Sequence, residues 1–118
     1  MPHIHLETTA DLPENADVPD ILQALVDALS GQETVSPASV KATHSLRSVW
    51  AVGEGAPAGI AHCTVEILAG RSPEVRRRIA EAAFAAMTTA FAASLEAKEV
   101  ALSLELREMD AATYLKAS

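Results

Sequence analysis

Aromatic residues are nearly missing from this chain of 118 residues, which holds two Phe, one Trp and one Tyr. Its core must therefore come from Ala, Leu, Val and Ile. Ala-rich helices bury little area each, so a chain of this kind often completes its core by oligomerising. Cysteine is reduced to Cys63, which excludes an intramolecular disulfide and fits a reducing cytoplasm. Within an apolar strand pattern, Cys63 reads as a small buried residue rather than a nucleophile. Basic residues are outnumbered, nine Lys and Arg against sixteen Asp and Glu, for a net charge of −7. That balance argues against a nucleic-acid partner. The one basic run, Arg76-Arg77-Arg78, reads as a solvated helix face. No uncharged apolar stretch is long enough to cross a membrane, and no signal-peptide pattern opens the chain, so a cytoplasmic location is expected.

Several chemical signatures are also missing. There is no Walker-type loop, glycine-rich dinucleotide fingerprint or Ser–His–Asp arrangement. His3, His5 and Glu7 would share one face of a strand, and a metal would need His44 or His62 as a further ligand. Nothing in the spacing fixes such a geometry, so neither metal nor cofactor is expected. Polar residues on an intersubunit sheet face are the better reading of that triplet.

What the chain does contain is two rounds of strand, helix, strand within one domain spanning 1–118. A strand over 2–9 precedes a helix from Pro19 to Ser30, with Asp17 as N-cap, an apolar stripe through Ile21, Leu25 and Leu29, and Gly31 at the C-cap. A strand follows at about 40–52, then a turn through Gly53, Gly55, Pro57 and Gly59. The second round predicts a strand over Ile60–Leu68, then a long helix announced by Ser72-Pro73-Glu74. A final strand covers Glu99–Leu106, and the tail 109–118 is expected to be a short helix or loop packed on a neighbour.

The two rounds are alike. Shifted by 59 positions, Pro2-His3-Ile4-His5-Leu6-Glu7 falls on Ala61-His62-Cys63-Thr64-Val65-Glu66. Two βαβ units, 2–56 and 57–108, predict an α+β fold with one four-stranded mixed sheet and both helices on one face. The uncovered sheet face then calls for another subunit. The rounds differ where chemistry could sit: Pro2 corresponds to Ala61, and Arg71 to Leu12.

If Met1 is cleaved, Pro2 carries a free secondary amine on a rigid ring. An α-amine starts near a pKa of roughly 7.7–8.0, and burial or nearby cations lower it, so it could serve as a base at neutral pH. From position alone, Pro2 is also readable as an ordinary second residue. Arg71 directly precedes a helix N-terminus and could anchor a carboxylate or phosphate, or simply cap a strand end. Lys41 is a second, more generic cation. Trp50 reads as core or interface.

Met1-Pro2-His3, Glu7, Asp17, the block Ala69-Gly70-Arg71-Ser72 and Glu74-Val75, set in the duplicated layout, resemble the 5-carboxymethyl-2-hydroxymuconate isomerase family of the tautomerase superfamily. The resemblance implies a tautomerase-like fold, a homotrimer of fused units, and the N-terminal proline as general acid/base. It implies Pro2 as the catalytic residue and Arg71 as a carboxylate binder. A further family arginine is missing near Val40-Lys41-Ala42-Thr43, where Lys41 would substitute without bidentate geometry. The implied reaction ketonises a 2-hydroxymuconate-type unsaturated dicarboxylic acid without a cofactor, in a pathway of aromatic-compound catabolism. Phenylenolpyruvate tautomerisation, hydration or dehalogenation of an unsaturated acid, and an inactive assembly are the alternative readings.

Overall fold

The computed structural model describes residues 1–118. Four strands form one sheet in the order β2-β1-β3-β4: β1 His3–Thr9, β2 Lys41–Arg47, β3 Gly59–Leu68 and β4 Val100–Met109. β1 and β2 are parallel, as are β3 and β4, and the two pairs meet antiparallel through β1 and β3. Each parallel pair needs a crossover, supplied by α1 (Val18–Ser30) in one half and by α2 (Pro73–Ala90) with α3 (Ala92–Glu96) in the other. No helix is long and apolar enough to cross a membrane.

Alternation decides which sheet face is covered. Ile4, Leu6, Ala61, Cys63, Val65 and Ile67 are buried under the helices, while the intervening residues of β1 and β3 are only half-buried. α1 closes the core with Ile21, Leu25 and Leu29, and α2 with Ile79, Ala83 and Met87. The four-residue spacing of each trio places it on one helix stripe. Phe91, fully buried, supplies the aromatic bulk these small residues lack. The opposite sheet face carries His3, His5, Glu7, Thr43, His62, Thr64 and Ser103, and no helix covers it. Cross-strand hydrogen bonds join its polar groups, His5 to Thr43 at 2.8 Å and His62 to Ser103 at 2.6 Å.

Element ends differ from the sequence reading for reasons of pairing. β2 stops at Arg47 rather than near 52, because β1 ends at Thr9, the last partner in register. Trp50 consequently lies in a loop, where its indole N–H donates to the Ala58 carbonyl at 2.8 Å. β4 runs on to Met109, past the expected Leu106, because β3 offers a partner as far as Leu68. Ser72 caps α2 as its position predicts, accepting the Val75 N–H. Asp17 makes no side-chain capping bond, and a 3-10 turn over Pro13–Asp17 leads into α1 instead. Gly31 closes α1 with right-handed backbone (φ −77°), so its left-handed freedom is unused. The second crossover breaks at Phe91 into α3, which ends in a Schellman arrangement with Lys98 left-handed at φ 58°. Its two bonds run from Lys98 N–H to Leu95 and from Glu99 N–H to Ser94.

Candidate active site

Strand directions assemble one end of the sheet. β1 starts there, and β2, being parallel to it, starts there too, with Lys41 opposite His3. β3 runs the other way, so its last residues lie beside the start of β1, with Glu66 opposite His3. β4 is parallel to β3 and also finishes at this end, with Met109 beside Leu68. The edge that begins with Pro2 therefore collects the segment before β2, the turn after β3 and the tail after β4.

Pro2 is buried, and its carbonyl accepts the Lys41 backbone N–H at 3.0 Å, tying the two segments together. The Lys41 ammonium makes one long bond, 3.3 Å, to the Ala38 carbonyl. Arg71 follows Gly70, whose φ of 129° lies in the left-handed region that favours glycine and turns the chain out of β3. Its guanidinium donates to Thr34 Oγ1 at 3.0 Å, to the Thr34 carbonyl at 2.9 Å and to the Leu68 carbonyl at 3.3 Å. A guanidinium has five N–H donors in a planar fork. Self-contacts thus orient Arg71 while leaving donors on both terminal nitrogens, suited to a carboxylate.

The positive field at this edge is visible in the N-terminal amine. The Met1 α-amine is held below its ordinary value, first by burial and then by Lys116, Arg71 and Lys41. Pro2, Lys41 and Arg71, all singled out from sequence, share this edge. Lys116 and Tyr114 were not singled out. The tail takes the loop form: it turns back at Asp110, and Tyr114 packs edge-on against His3 with ring centroids 6.0 Å apart. The available signal was topological, since a strand parallel to β3 must deliver its tail to the Pro2 edge. His3 and His5 bond different partners, Tyr114 and Thr43.

At the opposite end, the repeat's equivalent position is filled. Leu12, the counterpart of Arg71, is 3 % exposed. It packs so tightly on Gly59 that a Cβ there would come within 2.6 Å of its side chain. The cationic arrangement occurs once per chain. The largest surface hollow, about 680 Å³ between α1 and α2, is lined by Asp17, Asp20 and mostly Ala, and includes none of these cations.

The model of the 5-carboxymethyl-2-hydroxymuconate isomerase family matches residues 2–118. A 5-carboxymethyl-2-hydroxymuconate Delta-isomerase from Escherichia coli is 30 % identical over 110 residues, covering 92 % of this chain and 87 % of that protein. The crystal structure of a 5-carboxymethyl-2-hydroxymuconate isomerase from Deinococcus radiodurans R1 superposes with a TM-score of 0.88 at 31 % identity. That superposition covers 98 % of this chain and 88 % of the other. A fused 4-OT solved as a symmetric trimer shares the fold at 24 % identity, with a TM-score of 0.66 over 96 % of this chain and 94 % of that one. The chain belongs to the 5-carboxymethyl-2-hydroxymuconate isomerase family and is an isomerase of the tautomerase type.

Proposed function

We propose that this protein ketonises a 2-hydroxymuconate-type unsaturated dicarboxylic acid, with the Pro2 nitrogen of the Met-free chain as general acid/base. The observation that carries this reading is the single sheet edge shared by Pro2, Arg71 and Lys41. Burial and cations lower the pKa of an amine there, which favours the neutral form that a base needs. In the reaction the neutral amine accepts the proton of the 2-hydroxyl and delivers it to a distal carbon of the conjugated system. The same group accepts and donates, so no redox partner enters. Arg71 binds a carboxylate through its free donors. Lys41 adds a point charge that stabilises the negative charge of the dienolate.

The reading extends to a homotrimer. Support comes from the uncovered polar sheet face, from Val49 and Leu46, which are exposed on the single chain, and from the trimeric assembly of a protein with this fold. The end of the sheet that carries Pro2 is open in one chain, and a neighbouring subunit would wall it.

Met1 must be absent, because its peptide bond makes the Pro2 nitrogen an amide. The test combines intact mass with a ketonisation assay on Met-free protein, using 2-hydroxymuconate and phenylenolpyruvate. Turnover of the dicarboxylate, lost in Pro2→Ala by about 100-fold or more, is the expected result. Unchanged turnover in Pro2→Ala, or in protein retaining Met1, would overturn the reading.

A further inference from the structure

The C-terminal tail brings a hydroxyl group to the carbonyl of the Met1–Pro2 peptide bond. Asp110, the first residue past β4, builds the turn: its carbonyl accepts the N–H groups of Thr113 and Tyr114, both at 3.1 Å. Its carboxylate accepts the Ala112 N–H at 2.9 Å. The turn sends Tyr114 back across the start of β1. There the Tyr114 hydroxyl lies 2.9 Å from His3 Nε2 and 3.5 Å from the Met1 carbonyl oxygen.

One arrangement satisfies both contacts. Carrying its proton on Nε2, His3 donates to the Tyr114 oxygen, and the phenol proton goes to the Met1 carbonyl. That carbonyl carbon is bonded directly to the Pro2 nitrogen. The donor therefore addresses an oxygen one atom removed from the proposed base. When Met1 is cleaved the oxygen leaves, His3 still orients the phenol, and the phenol proton is free for whatever oxygen approaches Pro2. Lys116, two residues further along the same tail, adds positive charge at this edge, as the depressed Met1 amine reports.

We propose that Tyr114 is a second catalytic residue, donating a hydrogen bond to the substrate oxygen that becomes negative as Pro2 removes its proton. The proposal rests on the reading of Pro2 above. In the step, the substrate O–H bond breaks and the Pro2 N–H bond forms. The dienolate oxygen accepts the Tyr114 hydrogen bond, and the proton passes from Pro2 to carbon as the ketone forms. Tyr114 keeps its own proton throughout. A donor aimed at developing charge is worth more in the transition state than in the ground state, so it acts on kcat rather than KM.

The experiment uses the Met-free full-length chain with 2-hydroxymuconate and compares wild type, Tyr114→Phe and Pro2→Ala. Tyr114→Phe keeps the ring against His3 and removes only the hydroxyl. Its kcat is expected to fall about tenfold or more, with KM within about twofold and the acid limb of the pH–rate profile unmoved. Truncation after Thr113, with folding verified by circular dichroism, should lose at least as much. If Pro2→Ala is inactive while Tyr114→Phe keeps kcat within about twofold, the Tyr114 assignment fails alone. If Pro2→Ala turns over at the wild-type rate, the underlying reading fails and takes this proposal with it.

Discussion

Cys63 sits in the middle of β3, fully buried, and burial pushes its thiol up to about 12. At neutral pH it is a packed apolar group with almost no thiolate. Native protein should accordingly resist a thiol reagent such as 5,5′-dithiobis(2-nitrobenzoate) and react fully once unfolded in guanidinium; rapid labelling of native protein would contradict the burial. The strand pattern around Cys63 already implied this inertness. Pro2 illustrates the other case. Its ring and position are plain in the sequence, but its basicity depends on surroundings gathered from four segments. In Met-free protein the amine should titrate below the ordinary α-amine value of 8.0, as the Met1 amine does here. A base works unprotonated, so kcat/KM should climb as pH rises through that depressed pKa and level off above it. Removing one cation with Lys116→Ala should move the climb to higher pH, read from the pH–rate profile; an unmoved or lower midpoint would count against Lys116.

Among the elements, the second crossover departs most from its counterpart. α3 has no equivalent in the first half, and its buried Ser94 explains what it does. The Ser94 hydroxyl lies 2.6 and 2.9 Å from the two Glu14 carboxylate oxygens, tying α3 to the 3-10 turn after β1. Glu14 is 9 % exposed. Ser94→Ala leaves that carboxylate short of a donor and should cost about 1–3 kcal/mol, measured by urea denaturation. A loss near zero would mean that water replaces the hydroxyl. Helix starts, apolar stripes and strand alternation were legible because each depends on nearby residues alone. The Glu14–Ser94 bond joins residues 80 apart, and nothing local marks either as a partner. The end of β2 was missed for a related reason. Residues 48–52 suit a strand well enough, but β1 has run out beside them.

At the scale of the whole molecule, one face of the sheet is left without helices, and some of its polar groups, His5 with Thr43 and His62 with Ser103, are already joined across strands. Such a face suits a polar, close-packed contact between subunits better than permanent exposure. Sedimentation equilibrium on the proposed trimer should return three times the 12.4 kDa of one chain. A 12.4 kDa species at micromolar concentration would remove the trimer from the reading. The two halves also differ at their matching ends. Where Arg71 is half-buried with donors to spare in one half, Leu12 is buried against Gly59 in the other.

Periodicity, turn residues and the internal repeat were enough to read the α+β class, the two βαβ units and the helix layer. Each is encoded in residues close together along the chain, where backbone sterics and hydrophobic alternation act. Pro2, Arg71 and Lys41 were recognisable as candidates from their residue types and immediate neighbours. Their meeting at one edge was not, and neither was the arrival of Tyr114 and Lys116. That meeting follows from strand direction: β1 and β2 begin where β3 and β4 end. It is set by the antiparallel joining of β1 to β3, a long-range pairing held by backbone hydrogen bonds and the core beneath them.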